Sequence, residues 1–358
     1  MYGATGFGKT RVIINTLKLF ENETDKVLKC IWVVSSVLTR DEKLDEELVK
    51  WQFGSSQRKM RIRALCYESL DSEYGPCDVM VMDEFHNITE ANTRRLLMNP
   101  PPIIIACTGS KPTRKDKVAI TAALNLKVVY ELKLVEAKEK GYVNNFELFI
   151  YKITLDNKEK YLKGWKTTRG LLTEYERFQQ IQFIIRKAFA ESGAVPLHLA
   201  LMRKRFLQNL RSKEKFAERL IKQLKDAKLR HIIFCAGVTQ ADKLCNHSYH
   251  YENNDSGTID DFNAKYIDSF SCIKAIDESH NLVDVDSILL MNLDREATTF
   301  LQRLGRAIRV RLGLAIGEKP VPTKAYILVA KDTVEEEWMN NIISDHRLST
   351  CKINYYNY

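Results

Sequence analysis

The sequence predicts an α/β protein of two lobes with mainly parallel sheets, joined by a basic helical segment. Three observations carry that expectation. A glycine-rich loop opens the chain and runs straight into a helix-like segment. Continuous apolar runs then alternate with helix-like segments. After a stretch of helical periodicity, a second strand–helix alternation begins near residue 229. The 358 residues leave room for two domains of ordinary size, and 45% hydrophobic with 28% charged residues fits a globular chain. The expected division is a first lobe over 1–155, a basic helical connection over 156–228 and a second lobe over 229–358. Only Met1 and Tyr2 precede the loop, so the first strand of the first lobe is expected to be missing, as in a truncated gene product or a fragment.

Residues Gly3 to Thr10 read G-A-T-G-F-G-K-T, which satisfies G-x-x-x-x-G-K-[ST]. Gly3, Gly6 and Gly8 let the backbone curl so that successive N–H groups face the phosphates of a nucleotide. Lys9 can reach the β and γ phosphates, and Thr10 offers a hydroxyl to Mg²⁺. The apolar periodicity of 11–20 predicts a helix, whose N-terminus adds partial positive charge to the loop. Cys30–Val34, Val79–Met82 and Ile103–Cys107 are short apolar runs of the kind that strands buried on both faces require. Lys127–Tyr130 and Phe146–Tyr151 are expected as later strands of the same lobe.

Asp83-Glu84-Phe85-His86 follows the second of these runs. An aspartate at a strand end can hold the water shell of Mg²⁺, and the adjacent glutamate can orient and deprotonate an attacking water. Thr108 and Ser110, around Gly109, stand at the end of the third run, where their hydroxyls can bond the Asp-Glu strand end.

From Tyr161 to Leu229 the pattern turns helical. Tyr175, Phe178, Ile181, Ile185 and Phe189 fall at helical spacing, as do Phe206, Leu210, Phe216, Leu220 and Leu224. The chain carries net charge +9, and Tyr151–Arg230 holds 20 Lys and Arg against 8 Asp and Glu, a local +12. So concentrated an excess points to a polyanion, and nucleic acid is favoured over a membrane surface because no strongly apolar face accompanies it. Lys204, Arg205, Arg211, Lys213 and Lys215 are the candidate contacts. The second alternation supplies His231–Cys235, Ser271–Ile276, Ser287–Met291 and Lys324–Val329 as strands. Gln302, Arg306 and Arg309 follow in Q-R-L-G-R-A-I-R, two arginines three apart and suited to a triphosphate.

The eight cysteines never form C-x-x-C, and several lie in apolar runs, so reduced core thiols are expected. Cys245, His247 and His250 lack a second ligand cluster for a metal. No apolar run approaches the roughly 18 residues of a membrane span. The start does not read as a signal peptide, because its first apolar stretch follows the glycine loop. A cytoplasmic protein, of a bacterium or a phage-infected host, is expected.

Taken in order, these signals resemble the superfamily 2 helicases and translocases, in which two RecA-like lobes clasp ATP. Gly3–Thr10 is similar to motif I, Asp83–His86 to motif II in its D-E-x-H form, Thr108–Ser110 to motif III and Gln302–Arg309 to motif VI. Arg40-Asp41 resembles the motif Ia region, which implies a nucleic-acid contact for Arg40. Ile232–Gly237 with Gln240–Asp242 resembles motif IV, and Asp277–Asn281 the approach to motif V, which implies a coupling role for Glu278. Ser279 stands where motif V usually carries glycine. The pattern is most similar to phage-type and restriction-related DNA helicases, with no nuclease, zinc finger or methylase appended.

The resemblance implies ATP and Mg²⁺ as ligands, with Gly3, Gly6, Gly8, Lys9, Thr10 and Asp83 binding them. It implies catalysis by Glu84, Lys9, Gln302, Arg306 and Arg309, and coupling through His86, Thr108, Ser110 and Glu278. The expected activity is ATP-dependent movement on or unwinding of nucleic acid, DNA favoured over RNA. An RNA helicase and a non-motor nucleic-acid-binding ATP switch remain alternatives. A small-molecule kinase is disfavoured, since it has no need of a second α/β lobe with paired arginines.

Overall fold

The computed structural model describes all residues except 4–7, 36, 38–39, 42–43, 54–59, 110–111, 113, 165–169, 254–256, 274–281, 294–299, 302, 306–320, 346–347 and 350. It divides into two compact units, one from Met1 to Val143 and one of Asn144–Ala275 with Leu282–Tyr358.

In the first unit, β1 (Tyr2–Gly3) is followed by α1 (Lys9–Asn22), β2 (Leu28–Val34), α2 (Leu44–Lys50), β3 (Met60–Cys66), α3 (Leu70–Glu73), β4 (Val79–Met82), α4 (Glu90–Met98), β5 (Ile103–Ala106), α5 (Lys115–Ala123), β6 (Glu131–Leu132) and α6 (Leu134–Glu139). Strands pair in the order β3-β2-β4-β5, all parallel. β1 forms a separate two-stranded parallel sheet with β6 and meets the chain just past β5 through an isolated bridge, Tyr2 to Thr108, where Gly3 N donates to Thr108 O at 3.1 Å.

Both faces of the sheet are covered. Ile13, Ile14 and Leu17 of α1 pack with Trp32, Val79 and Val81 on one side, while Leu70, Leu96 and Ile120 pack with Ile31, Met80 and Met82 on the other. That is why the strands read as unbroken apolar runs rather than alternating ones. β5 departs from this pattern, since Ile103 at its start is exposed. Lys127–Tyr130 is not a strand. Val129 is 88% exposed and β6 begins only at Glu131, so this run lacks the burial its composition suggests.

The second unit contains β7 (Phe146–Ile153), β8 (Leu162–Lys163), β9 (Leu171–Leu172), α7 (Glu174–Ser192), α8 (Leu197–Gln208), α9 (Arg211–Asp226), β10 (His231–Cys235), α10 (Val238–Leu244), β11 (Ser248–Tyr249), α11 (Gly257–Asn263), β12 (Ser269–Ile273), β13 (Ser287–Leu290), β14 (Thr323–Ala330), α12 (Val334–Ile343) and β15 (Lys352–Asn357). Seven strands pair in the order β11-β12-β10-β13-β14-β7-β15, all parallel.

β7 differs from expectation: it lies between β14 and β15, so Phe146–Ile153 belongs to the second sheet and the division falls after Val143 rather than after 155. The helical stretch is likewise part of this unit. Phe216, Ala217, Leu220, Ile221 and Leu224 of α9 pack on Ile233, Leu289 and Leu328 of the sheet. α7 opens on a capping box, in which the Thr173 hydroxyl accepts from Glu176 N and the Glu176 carboxylate accepts from Thr173 N. Phe178, Ile181 and Ile185 are buried as their spacing predicts, whereas Tyr175 and Phe189 are exposed.

Candidate active site

The phosphate loop meets the acidic strand end at one ion pair. Gly8 caps α1 at φ 92°, a left-handed conformation that glycine alone adopts freely, and the helix begins at the next residue. This places Lys9 and Thr10 in the first helical turn. Lys9 is buried, and its Nζ lies 3.1 Å from Glu84 Oε1. Glu84 follows β4 by two residues. Its φ of 47° is unusual for a side-chain-bearing residue, and such strain gathers where the surrounding structure fixes a functional group.

Backbone bonds hold that turn on three sides. Asp83 N donates to Val33 O at 2.9 Å, Phe85 N to Cys107 O at 2.8 Å and Glu84 N to Asp83 Oδ1 at 3.0 Å. The Tyr67 hydroxyl donates to Asp83 O at 2.8 Å. Tyr67 carries no motif signal in the sequence. It reaches Asp83 because β3 ends beside β2, which separates it from β4.

His86 and Thr108 complete the group. His86 Nδ1 lies 3.4 Å from Glu84 Oε2 and 3.2 Å from Thr108 Oγ1. Thr108 is itself tied to β1, its carbonyl accepting from Gly3 N. Residues 3, 9, 83, 84, 86 and 108, far apart in sequence, are therefore joined by a continuous set of short contacts.

The electrostatics follow from burial and pairing. Burial alone raises the Glu84 carboxyl, but the Lys9 ammonium and the His86 contact outweigh it and hold the group at about 2. Burial depresses Lys9, and Glu84 and then Asp83 more than restore it, so the ammonium is held above its ordinary value. Burial, then Asp83, pushes the neighbouring Cys107 thiol up to about 12, which keeps it protonated and unreactive. The donor set fits a magnesium nucleotide: a buried cation in the first turn of a helix against the carboxylates of a strand end, with a hydroxyl at the next residue of the same turn.

The remaining expectations divide. Gly6, Ser110, Glu278, Gln302, Arg306 and Arg309 lie outside the described residues. Arg40 is engaged with its neighbour Asp41 at 2.6 Å on the surface. Lys204 and Arg205 lie on α8, Arg205 being exposed. Arg211 and Lys215 both pair with Glu159, and the Arg211 guanidinium also lies 4.6 Å from the Tyr161 ring centroid.

Lys213 cannot contact nucleic acid. It is 0% exposed, and its Nζ donates to both oxygens of buried Glu335, at 2.8 and 2.6 Å. The basic run on α9 is amphipathic, and Lys213 falls on its inner face, where only a paired charge is tolerable. Nothing near Lys213 in the sequence marks this, since Glu335 lies 122 residues away.

Residues 212–311 match the helicase conserved C-terminal domain family. A search of curated proteins found no relative. Among solved structures, the helicase domain of Hef from Pyrococcus furiosus is similar over 95% of this chain and 94% of its own, at 14% identity and TM-score 0.54. The ATP-dependent Type ISP restriction-modification enzyme LlaBIII bound to DNA is similar over 99% of this chain and 29% of its own, at 11% identity and TM-score 0.57. Dbp5 of S. cerevisiae, bound to RNA and ADP BeF3, is similar over 99% of this chain and 84% of its own, at 12% identity and TM-score 0.54. At these identities the likeness is one of fold. No helix among the described residues is long and apolar enough to cross a membrane. Residues 212–311 thus match the helicase conserved C-terminal domain family, and the chain as a whole is similar in its α/β, mainly parallel-sheet fold to the helicase domain of Hef.

Proposed function

We propose that the chain is an ATP-dependent DNA helicase or translocase, hydrolysing ATP in response to nucleic acid. The observation that carries this reading is the buried Lys9–Glu84 pair, at the start of α1 and the end of β4. Glu84 held at about 2 is a weak base, because a general base works best near the operating pH. A triphosphate that engages the Lys9 ammonium takes away the main charge stabilising the Glu84 carboxylate. Glu84 then becomes more basic in a site where its side chain is only 14% exposed, and it can accept a proton from water.

Thr10 and Asp83 would hold Mg²⁺, which supplies charge neutralisation on the phosphate oxygens when bound. His86 touches both Glu84 and Thr108, so movement of the carboxylate is felt at β1 through the Thr108–Gly3 bond. Arg306 and Arg309 act on the triphosphate from the second lobe, as arginine fingers. Arg40, Lys204, Arg205, Arg211 and Lys215 contact the phosphate backbone, supported by the local excess of positive charge.

ATP turnover with no nucleic acid, with single-stranded DNA, with duplex DNA and with RNA tests the reading. At least a tenfold stimulation by DNA, larger than that by RNA, is expected. The RNA-bound state of Dbp5 favours the second reading, an RNA helicase, and stimulation by RNA alone would select it. Turnover indifferent to all three would leave a non-motor ATP switch.

A further inference from the structure

A pair of buried amides in the second unit joins the carboxyl end of α8 to the start of the Gln302–Arg309 run. Gln240 on α10 is 3% exposed, and Asn292, two residues past β13, is 4% exposed. The Gln240 side chain accepts from Ala236 N at 3.0 Å and donates to Gln208 O at 3.0 Å. Asn292, with its amide turned so that both ends are satisfied, does the same: its oxygen accepts from Ala236 N at 2.8 Å and its nitrogen donates to Gln208 O at 3.3 Å. Two side chains from different elements therefore converge on one N–H and one carbonyl.

The two backbone groups explain the convergence. Gln208 is the last residue of α8, and its carbonyl is among those a helix leaves without an internal partner. Ala236 N stands just past the end of β10. Buried amides cost free energy unless bonded, so this arrangement is rigid while complete and expensive to disturb at one end. The Asn292 backbone carbonyl then accepts from the Arg303 guanidinium at 3.2 Å. Arg303 is 9% exposed, and its guanidinium carbon lies 5.9 Å from the centroid of Phe234 on β10. α8 carries Lys204 and Arg205 within its last five residues, and Arg303 stands three residues ahead of Arg306.

We propose that Gln240 is a positioning residue that transmits engagement of nucleic acid at α8, through Asn292 and Arg303, to the run that bears Arg306 and Arg309. The proposal rests on the reading of the chain as a nucleic-acid-stimulated ATPase. A shift of α8 along its axis moves Gln208 O against both amides. These in turn fix the exits of β10 and β13, where Arg303 is anchored. Coupling of this kind needs a physical chain with a measurable energetic link, and the chain here is the five hydrogen bonds that run from Gln208 O through the two buried amides to Arg303.

The test uses the whole chain with Gln240→Glu. The carboxylate still accepts from Ala236 N but cannot donate to Gln208 O, so the shorter of the two bonds to α8 is lost, only the 3.3 Å bond from Asn292 remains, and the β10 side is kept. Turnover without nucleic acid should stay within about twofold of the parent chain, and the dissociation constant for duplex DNA within about threefold. Turnover at saturating DNA should fall by about tenfold, within the usual range of coupling between sites. Should thermal unfolding show that Gln240→Glu does not fold, the uncharged Gln240→Met variant, which loses both bonds of this side chain, tests the same coupling with the same expected outcome. A purely structural role predicts that basal and stimulated turnover fall together, which would overturn the proposal, as would unchanged stimulation. Absence of any stimulation in the parent chain would overturn the nucleic-acid reading itself, a distinct result.

Discussion

The two units solve the same structural problem and finish it with different chemistry. Each is a parallel sheet whose informative side chains gather beyond the carboxyl ends of its strands, where such sheets place their ligands. In the first unit those ends hold charge under strain: a buried ammonium against a carboxylate on a left-handed residue. In the second they hold neutral amides with their bonds satisfied, Gln240 and Asn292 around Ala236 N and Gln208 O. The difference teaches that the scaffold is indifferent to task. A strained, charged strand end is suited to changing state when a ligand arrives, and a saturated amide pair to carrying a displacement without changing its own chemistry.

The largest expected effect tests the charged end. Lys9→Ala should abolish hydrolysis, since it removes the cation in the first turn of α1 and leaves Glu84 without its main counter-charge. Steady-state phosphate release measures it. Retention of more than about a tenth of the parent rate would break the comparison at its first term.

Glu84→Gln sharpens the same end. It removes the base while keeping a polar side chain beside Lys9. Turnover should fall by about 10²–10⁴-fold, the range for a lost general base, with ATP affinity nearly intact. Equilibrium binding of labelled ATP checks this. A collapse of affinity would make Glu84 structural.

The sequence made the first unit's site legible because its parts are contiguous. Gly3–Thr10 and Asp83–His86 are each read from neighbouring residues, and the buried strands from runs whose two faces are both covered. What was not legible depends on pairing at a distance. β7 pairs with β14 across about 180 residues, so its apolar run gave no sign of which sheet it joins. Lys213 reads as one more basic residue until Glu335 is seen against it. β15 alternates poorly and ends in exposed Tyr355 and Tyr356, so neither a buried nor a half-buried strand pattern marks it. The left-handed turn at Glu84 belongs to the same class, being imposed by bonds from β2, Cys107 and Tyr67.

A smaller effect is expected on the surface of the second unit. Reversing Lys204, Arg205 and Lys215 to glutamate should weaken binding to all DNA sequences alike. It should also lower the slope of log affinity against log salt by roughly one unit for each lost phosphate contact. Adding Lys213 to the set should do nothing further to the slope and should instead lower the unfolding temperature, because it leaves Glu335 buried without its partner. Fluorescence anisotropy across a salt series separates the two. An unchanged slope for the triple variant would return this stretch to an ordinary solvated helix face.

The claim that joins the two units is that arginines about 300 residues from the phosphate loop act on the ATP held there. Turnover of Arg306→Ala and Arg309→Ala, measured at saturating ATP and saturating DNA together with ATP affinity, addresses it most directly. The account predicts a fall of at least about 100-fold in turnover for either variant, below the usual range for arginine fingers but set as a floor, with ATP affinity changed far less because Lys9, Thr10 and Asp83 remain. Near-normal turnover in both, with only DNA affinity reduced, would contradict it.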